Sequence, residues 1–325
     1  MKHLILITCI LGWFASSAQD LPPEYFGHIR KADSLYEAKA YKSSAFMYNE
    51  AFKLLNGRAL HDDRYNAACS WALAGYTDSA FKHLLVVVEK GGYSNYQHIS
   101  TDSDLNSLHG DKRWTYVLQT VKNNKEKVDA KLNRPLVARL DSVYAEDQAY
   151  RVQLEEIEKK YGWNSKEVKA QWKIISQKDS INLIKIKAIL DRYGWLGPEV
   201  VGSQGNTTLF LVIQHSDLAT QDKYLPMMRQ AVKDGKARAS SLALLEDRVA
   251  IGKGKRQIYG SQIGSDQETQ TYYVMALDDP DHVDERRREA GLGPLAEYVS
   301  HWKIKWDVEQ YKKDLPAIEK KQKAR

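Results

Sequence analysis

The residues able to move a proton lie in the second half of the chain. His215 stands in the run Gln214-His215-Ser216-Asp217, and Asp247 and Tyr259 follow further on. Histidine titrates near neutral pH, so His215 is the candidate general base, with Asp217 or Asp247 as the carboxylate that orients it and Tyr259 completing the catalytic set. Arg248 and Arg151 are suited to clamping an anionic group. Gln214, Gln257 and Gln262 offer uncharged donors and acceptors of the kind a ligand pocket needs, and Asp147 and Gln148 join them as candidate binding residues. His215, Asp217, Asp247 and Asp147 together could hold a metal, but no short ligand spacing marks one, so no cofactor is expected. Ser261 lacks an elbow motif. Cys69, in Asn66-Ala67-Ala68-Cys69, reads as a small buried hydrophobe. Gly252-Lys253-Gly254-Lys255-Arg256 could cradle a phosphate, yet it lacks the Walker spacing and follows a helix, so an ordinary turn is expected.

Helices must position these groups. Leu136, Leu140, Val143 and Tyr144 recur at helical spacing within Pro135–Tyr161, and Asp147, Gln148 and Arg151 ride on that helix. Lys166 to Tyr193 is a second long helix, with Val168, Trp172, Ile175, Ile184, Ile189 and Leu190 as its apolar positions. Gly194 to Pro198 breaks the chain. Gly202 to Gly205 reads as a loop leading to Asn206 as a helix N-cap, and Thr207–Ile213 reads as a buried helix in preference to a strand. Asp217 is placed to cap a helix over Leu218–Lys233. A helix over 238–251 carries Leu242, Leu245 and Val249 on one side and Ser240, Leu244, Asp247 and Ile251 on another, so it is buried on both. A carboxylate on a packed face is costly unless bonded, so Asp247 needs a specific partner, either structural or at a site. Gln257–Gln262 and Thr271–Leu277 read as two short strands of a small ribbon. Helices follow over Val283–Ala290 and Leu295–Trp306, and 307–325 reads as a frayed basic tail.

The first part of the chain repeats itself. Residues 24 to 91 align on themselves at an offset of 35, pairing Tyr36 with Trp71, Ala40 with Gly75 and Ala45 with Ala80. Each unit reads as two helices, and such pairs must stack to bury their apolar faces. On these residues the segment resembles the tetratricopeptide repeat, without that repeat's usual terminal proline. Thr101 to Trp114 resembles the closing segment of such repeats, with Leu105, Leu108 and Trp114 as its apolar stripe. The cationic stretch 122–134 reads as a solvated helix end or a linker, with the domain boundary placed there. The expected domains are therefore repeats with their closing segment over 19–121, the linker, a mostly helical domain over 135–306, and the tail.

Residues 1 to 18 have the form of a signal peptide: Lys2 and His3, then apolar Leu4 to Phe14, then Ala15-Ser16-Ser17-Ala18. An exported, periplasmic or extracellular protein without a membrane span is the expectation. Removal of the leader would take Lys2 and Cys9, leaving Cys69 without an internal disulfide partner. Hydrophobic residues at 43% and charged residues at 28% exclude a chain disordered throughout. A formal net charge of +6, spread along the chain, gives no nucleic-acid footprint.

The polar set of the second domain resembles an uncharacterised bacterial domain family over roughly residues 135 to 300. The matching segments are Asp147-Gln148 with Arg151, Gln214-His215 with Asp217, Asp247-Arg248, Gln257 with Tyr259, Gly260 and Gln262, and Arg287 with Gly291-Leu292. Ser261 stands where that family commonly has threonine. The resemblance implies no reaction. The fold expected is mainly α: tetratricopeptide-like hairpin repeats plus a mostly helical domain with a small β-ribbon. Two functions compete. One is an exported scaffold that takes a protein or peptide through its repeats and binds a small ligand in the C-terminal domain. The other is an exported hydrolase or transferase using His215 as base, Asp217 or Asp247 to orient it and Arg248 to hold an anion.

Overall fold

Apolar residues recur at helical spacing through most of the chain, and the computed structural model is mainly α with one small ribbon. It describes residues 21–162, 164–266, 269 and 271–323; the leader expected over residues 1–18 lies outside them. No helix among the described residues is long and apolar enough to cross a membrane. The chain divides into two compact units between Ala130 and Lys131.

The first unit is built of helical hairpins. α1 (Pro23–Glu37) pairs with α2 (Tyr41–Leu54), and α3 (His61–Leu73) with α4 (Thr77–Leu85), which continues as a π-helical turn over Val86–Lys90. α5 (Tyr96–Thr101), a 3₁₀ turn (Ser103–Leu108) and α6 (Lys112–Asp129) follow. Leu105, Leu108, Trp114, Val117 and Val121 pack with Trp71, Phe81 and Leu84 in one buried cluster, so the segment after the hairpins closes their exposed end. The two hairpin turns correct the repeat register. Lys39 and Gly75 are the left-handed residues, and the next amide donates to Leu35 in one turn and to Trp71 in the other. The structural offset is therefore 36: Trp71 corresponds to Leu35, and Ala80 to the fully buried Ser44.

The linker expected over 122–134 is replaced by structure. Residues 122–129 complete α6, where Asn124 Nδ2 donates to the carbonyls of Val88 and Tyr93 at 2.7 and 3.1 Å. Of the two readings, the solvated helix end holds for 122–129, anchored by that amide and by buried Val121.

The second unit is led by α7 (Arg134–Tyr161) and α8 (Lys166–Tyr193), packed side by side, with α9 (Pro198–Gln214), α10 (Leu218–Lys233) and α11 (Ala239–Gly252). Leu140, Val143, Ile186, Ile189, Leu209, Ile213, Met228 and Leu245 form its largest core. α9 begins earlier than expected. Its turns run through Gly202, where φ of 73° kinks the helix, so Gly202–Gly205 is no loop. Asn206 is an interior residue whose Nδ2 donates to the carbonyls of Leu196 and Lys236, both at 2.7 Å. Asp217 does cap α10, accepting from Thr220 N at 2.7 Å. On α8, two of the apolar positions, Trp172 and Ile184, are 50% and 71% exposed.

The ribbon pairs β1 (Ile263–Asp266) with β2 (Thr271–Val274), Ile263 opposite Val274. Gln257–Gln262 is an irregular loop and not a strand; of it, only Gln257 makes a bridge, to Leu277. α12 (Val283–Glu289), α13 (Leu295–Ser300) and α14 (Val308–Lys323) end the unit. α13 is thus shorter than expected. The tail is also corrected: Tyr311 and Ile318 of α14 are buried against Val274, Leu277, Val283 and Val299. Tyr311 OH donates to Met275 O at 3.0 Å and accepts from Leu277 N at 2.7 Å.

Candidate functional site

Three helices of the second unit bring their charges together. α7 supplies Asp147 and Arg151, α8 supplies Asp179, and α9 ends on His215. His215 Nδ1 lies 3.0 Å from Asp147 Oδ1, and Gln148 Nε2 donates to Asp147 Oδ2 at 2.7 Å. Arg151 Nη2 meets both oxygens of Asp179 at 3.0 and 2.9 Å, while its Nη1 donates to Asp147 O at 2.8 Å and lies 3.2 Å from Asp147 Oδ1. Asp147 is 1% exposed. Burial pushes its carboxyl up, but the hydrogen bond and charge of His215, with Arg151 and Gln148, win and hold it below the usual carboxylate range. Burial dominates at Asp179, which is raised despite Arg151. The bond at Nδ1 leaves His215 Nε2 without a partner among the described residues, as a base acting on a substrate requires.

Asp147 is therefore the carboxylate on His215, in place of Asp217 or Asp247. The two lie 68 residues apart, so no local pattern could pair them. Asp217 is spent on the N-terminus of α10. Asp179 was missed, although a carboxylate on a helix face shared with Ile175 and Ile186 is the signal that singled out Asp247. Ligand atoms of Asp147, Asp179 and His215 all lie within 4.8 Å of one another, the spacing of a metal triad. Arg151 is bonded to both carboxylates, so the cation between them is a guanidinium.

Asp247 holds a loop. It is fully buried, and its carboxylate accepts from the backbone amides of Ile258, Tyr259 and Ser261 at 2.7, 3.0 and 2.9 Å. Burial still raises its pKa, against those three bonds. Gln257, also fully buried, donates to Gln262 O and Met275 O and accepts from Gln262 N, clamping the same loop from the other side. Gly260 completes the turn with φ of +73°, where a Cβ would also come within 2.9 Å of Leu295. Tyr259 is held by this loop and its neighbours. Its amide serves Asp247, its carbonyl accepts from Arg287 Nη1 at 2.7 Å, and its hydroxyl faces Glu246 at 3.4 Å.

The loop fixes one wall of a pocket of about 310 Å³, lined by Arg248, Ser261, Gln262, Tyr272, Tyr298 and Trp302 among others. Gln262 Nε2 donates to Ser261 Oγ at 3.0 Å, and Tyr298 OH donates to Ser261 O at 3.0 Å. Arg248 Nε is buried without a hydrogen-bond partner. Burial and the nearby charge of Arg151 both depress the Arg248 pKa, which places the two guanidiniums in one field. Gln214, next to His215 and 7% exposed, likewise leaves Oε1 unpartnered. Tyr298 on α13 and Trp302 just beyond it were absent from the expected set; their only sequence signal was apolar spacing.

The first unit has a separate cavity of about 560 Å³, walled by Asp33, Tyr36, Tyr48, Tyr65, Cys69, Asp102 and Asp104 among others. Tyr48, Tyr36 and Tyr65 donate to Asp33, Asp104 and Asp102 respectively. Burial, with Asp102 and Asp104, pushes the Cys69 thiol far up, so it stays protonated.

No curated protein and no solved structure matches this chain. A family of unknown function, DUF6624, matches residues 135–308, a span that holds His215, Asp147, the Asp247 loop and the Arg248 pocket. The chain belongs to that family.

Proposed function

We propose that the chain is an exported interaction scaffold whose C-terminal unit binds a small anionic ligand in the pocket over Arg248. The observation that carries this reading is the buried, unpartnered Nε of Arg248 in a wall otherwise of hydroxyls, amides and aromatic rings. A guanidinium edge buried without a partner is costly, and an incoming anion that accepts from Nε would offset that cost. Of the expected catalytic set, Asp217 and Asp247 are occupied by backbone amides and Tyr259 by Glu246, which favours binding over turnover. The helical hairpins of the first unit are read as tetratricopeptide-type repeats that take a protein or peptide, in keeping with their small buried positions Ser44 and Ala80 and their closing segment. Isothermal titration with inorganic phosphate, sulfate and succinate tests the pocket. At least one of these anions should bind the wild type and lose at least about tenfold in affinity with Arg248→Gln. Equal affinity for both proteins, or no binding by either, contradicts the reading.

One observation favours enzyme action as a second reading: Asp147 orients His215 by Nδ1 and leaves Nε2 free, the geometry of a general base. On that reading Arg248 holds the anionic part of a substrate that His215 deprotonates or activates water to attack. His215→Gln would then abolish turnover while leaving anion binding intact; loss of binding and turnover together would count against a separate base.

A further inference from the structure

α8 carries two apolar faces, and only one is used by its own unit. Val168, Ile175, Ile186, Ile189 and Leu190 are buried. A second row, Ala170, Ile174, Gln177, Ile181, Ile184 and Ala188, is exposed along its whole length, with Ile174 at 40%, Ile181 at 48% and Ile184 at 71%. A surface helix needs one apolar stripe, and a contiguous second one marks an interaction site. The spacing of this row alternates three and four, the a and d positions of a heptad, over about five turns. So narrow a stripe suits the groove of one partner helix; a lipid surface favours a broader apolar face.

The flanks state the partner's charge. Lys178 and Lys185 border the row on one side, Lys173 and Lys187 on the other, in the e and g positions. Lys185 bridges to Glu146 at 3.3 Å yet keeps 27% of its side chain exposed. A second copy would set lysine against lysine in either helix direction, which opposes self-pairing. We propose that this face of α8 docks an amphipathic helix of another protein, with apolar residues at a and d and glutamate or aspartate beside them. The inference is independent of the Arg248 pocket.

Two designed peptides of about 28 residues, four heptads each, provide the probe. Both carry leucine at a and d; one has glutamate at every e and g position, the other lysine. Fluorescence anisotropy with the full chain should show binding of the glutamate peptide, weakened at least about tenfold by the double variant Ile181→Gln/Ile184→Gln. Both isoleucines are exposed, so the variant keeps its fold, checked by circular dichroism. The proposal is overturned if the glutamate peptide fails to bind, if the lysine peptide binds as tightly, or if the double variant keeps full affinity. It is equally overturned if the double variant abolishes self-association seen by sedimentation, or binding to phosphatidylglycerol vesicles, since a second copy or a membrane would then be the occupant.

Discussion

In the cavity of the first unit, three phenols donate to three carboxylates, Tyr48 to Asp33, Tyr36 to Asp104 and Tyr65 to Asp102, so these polar groups satisfy one another within the wall. In the pocket of the second unit, Arg248 has no hydrogen-bond partner at Nε, and the other residues lining the pocket are uncharged. Paired groups contribute to the stability of the wall they form. An unpaired buried charge destabilises it and gains only when a ligand arrives. Substitutions should therefore divide: those at satisfied groups lower stability, and those at Arg248 lower binding.

The largest effect falls on the frame behind the pocket. Asp247→Ala removes the acceptor of three loop amides, and denaturant unfolding should show about 4 kcal/mol lost from the second unit, with the pocket lost too. A fully stable variant would mean the loop is held by Gln257 alone. Asp147→Ala breaks the pairing with Arg151 and His215 and should cost about 3 kcal/mol at neutral pH. Because the folded Asp147 carboxyl is held below its ordinary value, its contribution is present above about pH 4 and is lost as pH falls through the folded pKa. Wild type and variant should thus converge in stability well below pH 4, and a constant gap down to pH 2 would contradict this.

His83 sharpens the comparison, because it is a buried unpaired group of the first unit. Its Nδ1 lacks a partner, and burial, with Arg64 and Lys82, lowers its pKa from 6.5 to about 4. The unfolded chain therefore binds the proton first, and the contribution of His83 to stability should fall by about 3 kcal/mol as pH drops from 6.5 to 4. Asp63 acts in the opposite sense, since burial raises its carboxyl to about 6, so the measurement is the difference between wild type and His83→Gln. A gap that does not change between pH 7 and 4 would remove His83 as its cause. Tyr48→Phe deletes one phenol-to-carboxylate bond and should cost about 1–2 kcal/mol by thermal unfolding. An unchanged Tm would show that the paired wall contributes nothing. The smallest shift is expected for Arg248→Met, within about 1 kcal/mol of wild type and towards higher stability, because the buried Nε had no partner to lose. A large loss would mean Arg248 is structural.

Helical spacing made the long helices of the second unit legible, along with the Asp217 cap and the burial of Asp247. What the sequence could not show was held by contacts between distant residues. Gln257–Gln262 reads as a short strand, but the carboxylate of Asp247 gathers its amides and bends it into a loop. Asp147 and His215 meet because α7 and α9 pack together, and nothing near either residue announces the pair. α14 looked like a polar tail, since its core side is reduced to a few residues such as Tyr311 and Ile318. In the two hairpins a register one residue short placed Tyr36 where Leu35 stands, because the aromatic pairs Tyr36/Trp71 and Tyr41/Tyr76 match at an offset of 35.

The most direct test of the unpartnered Arg248 Nε is its own N–H resonance. In ¹⁵N-labelled protein, the Arg248 signal, assigned by its loss in Arg248→Gln, should shift and saturate as the anion that binds by calorimetry is added, while signals of arginines in the first unit stay still. A signal that does not move, or that moves no more than those of surface arginines, would contradict an anion site at Arg248.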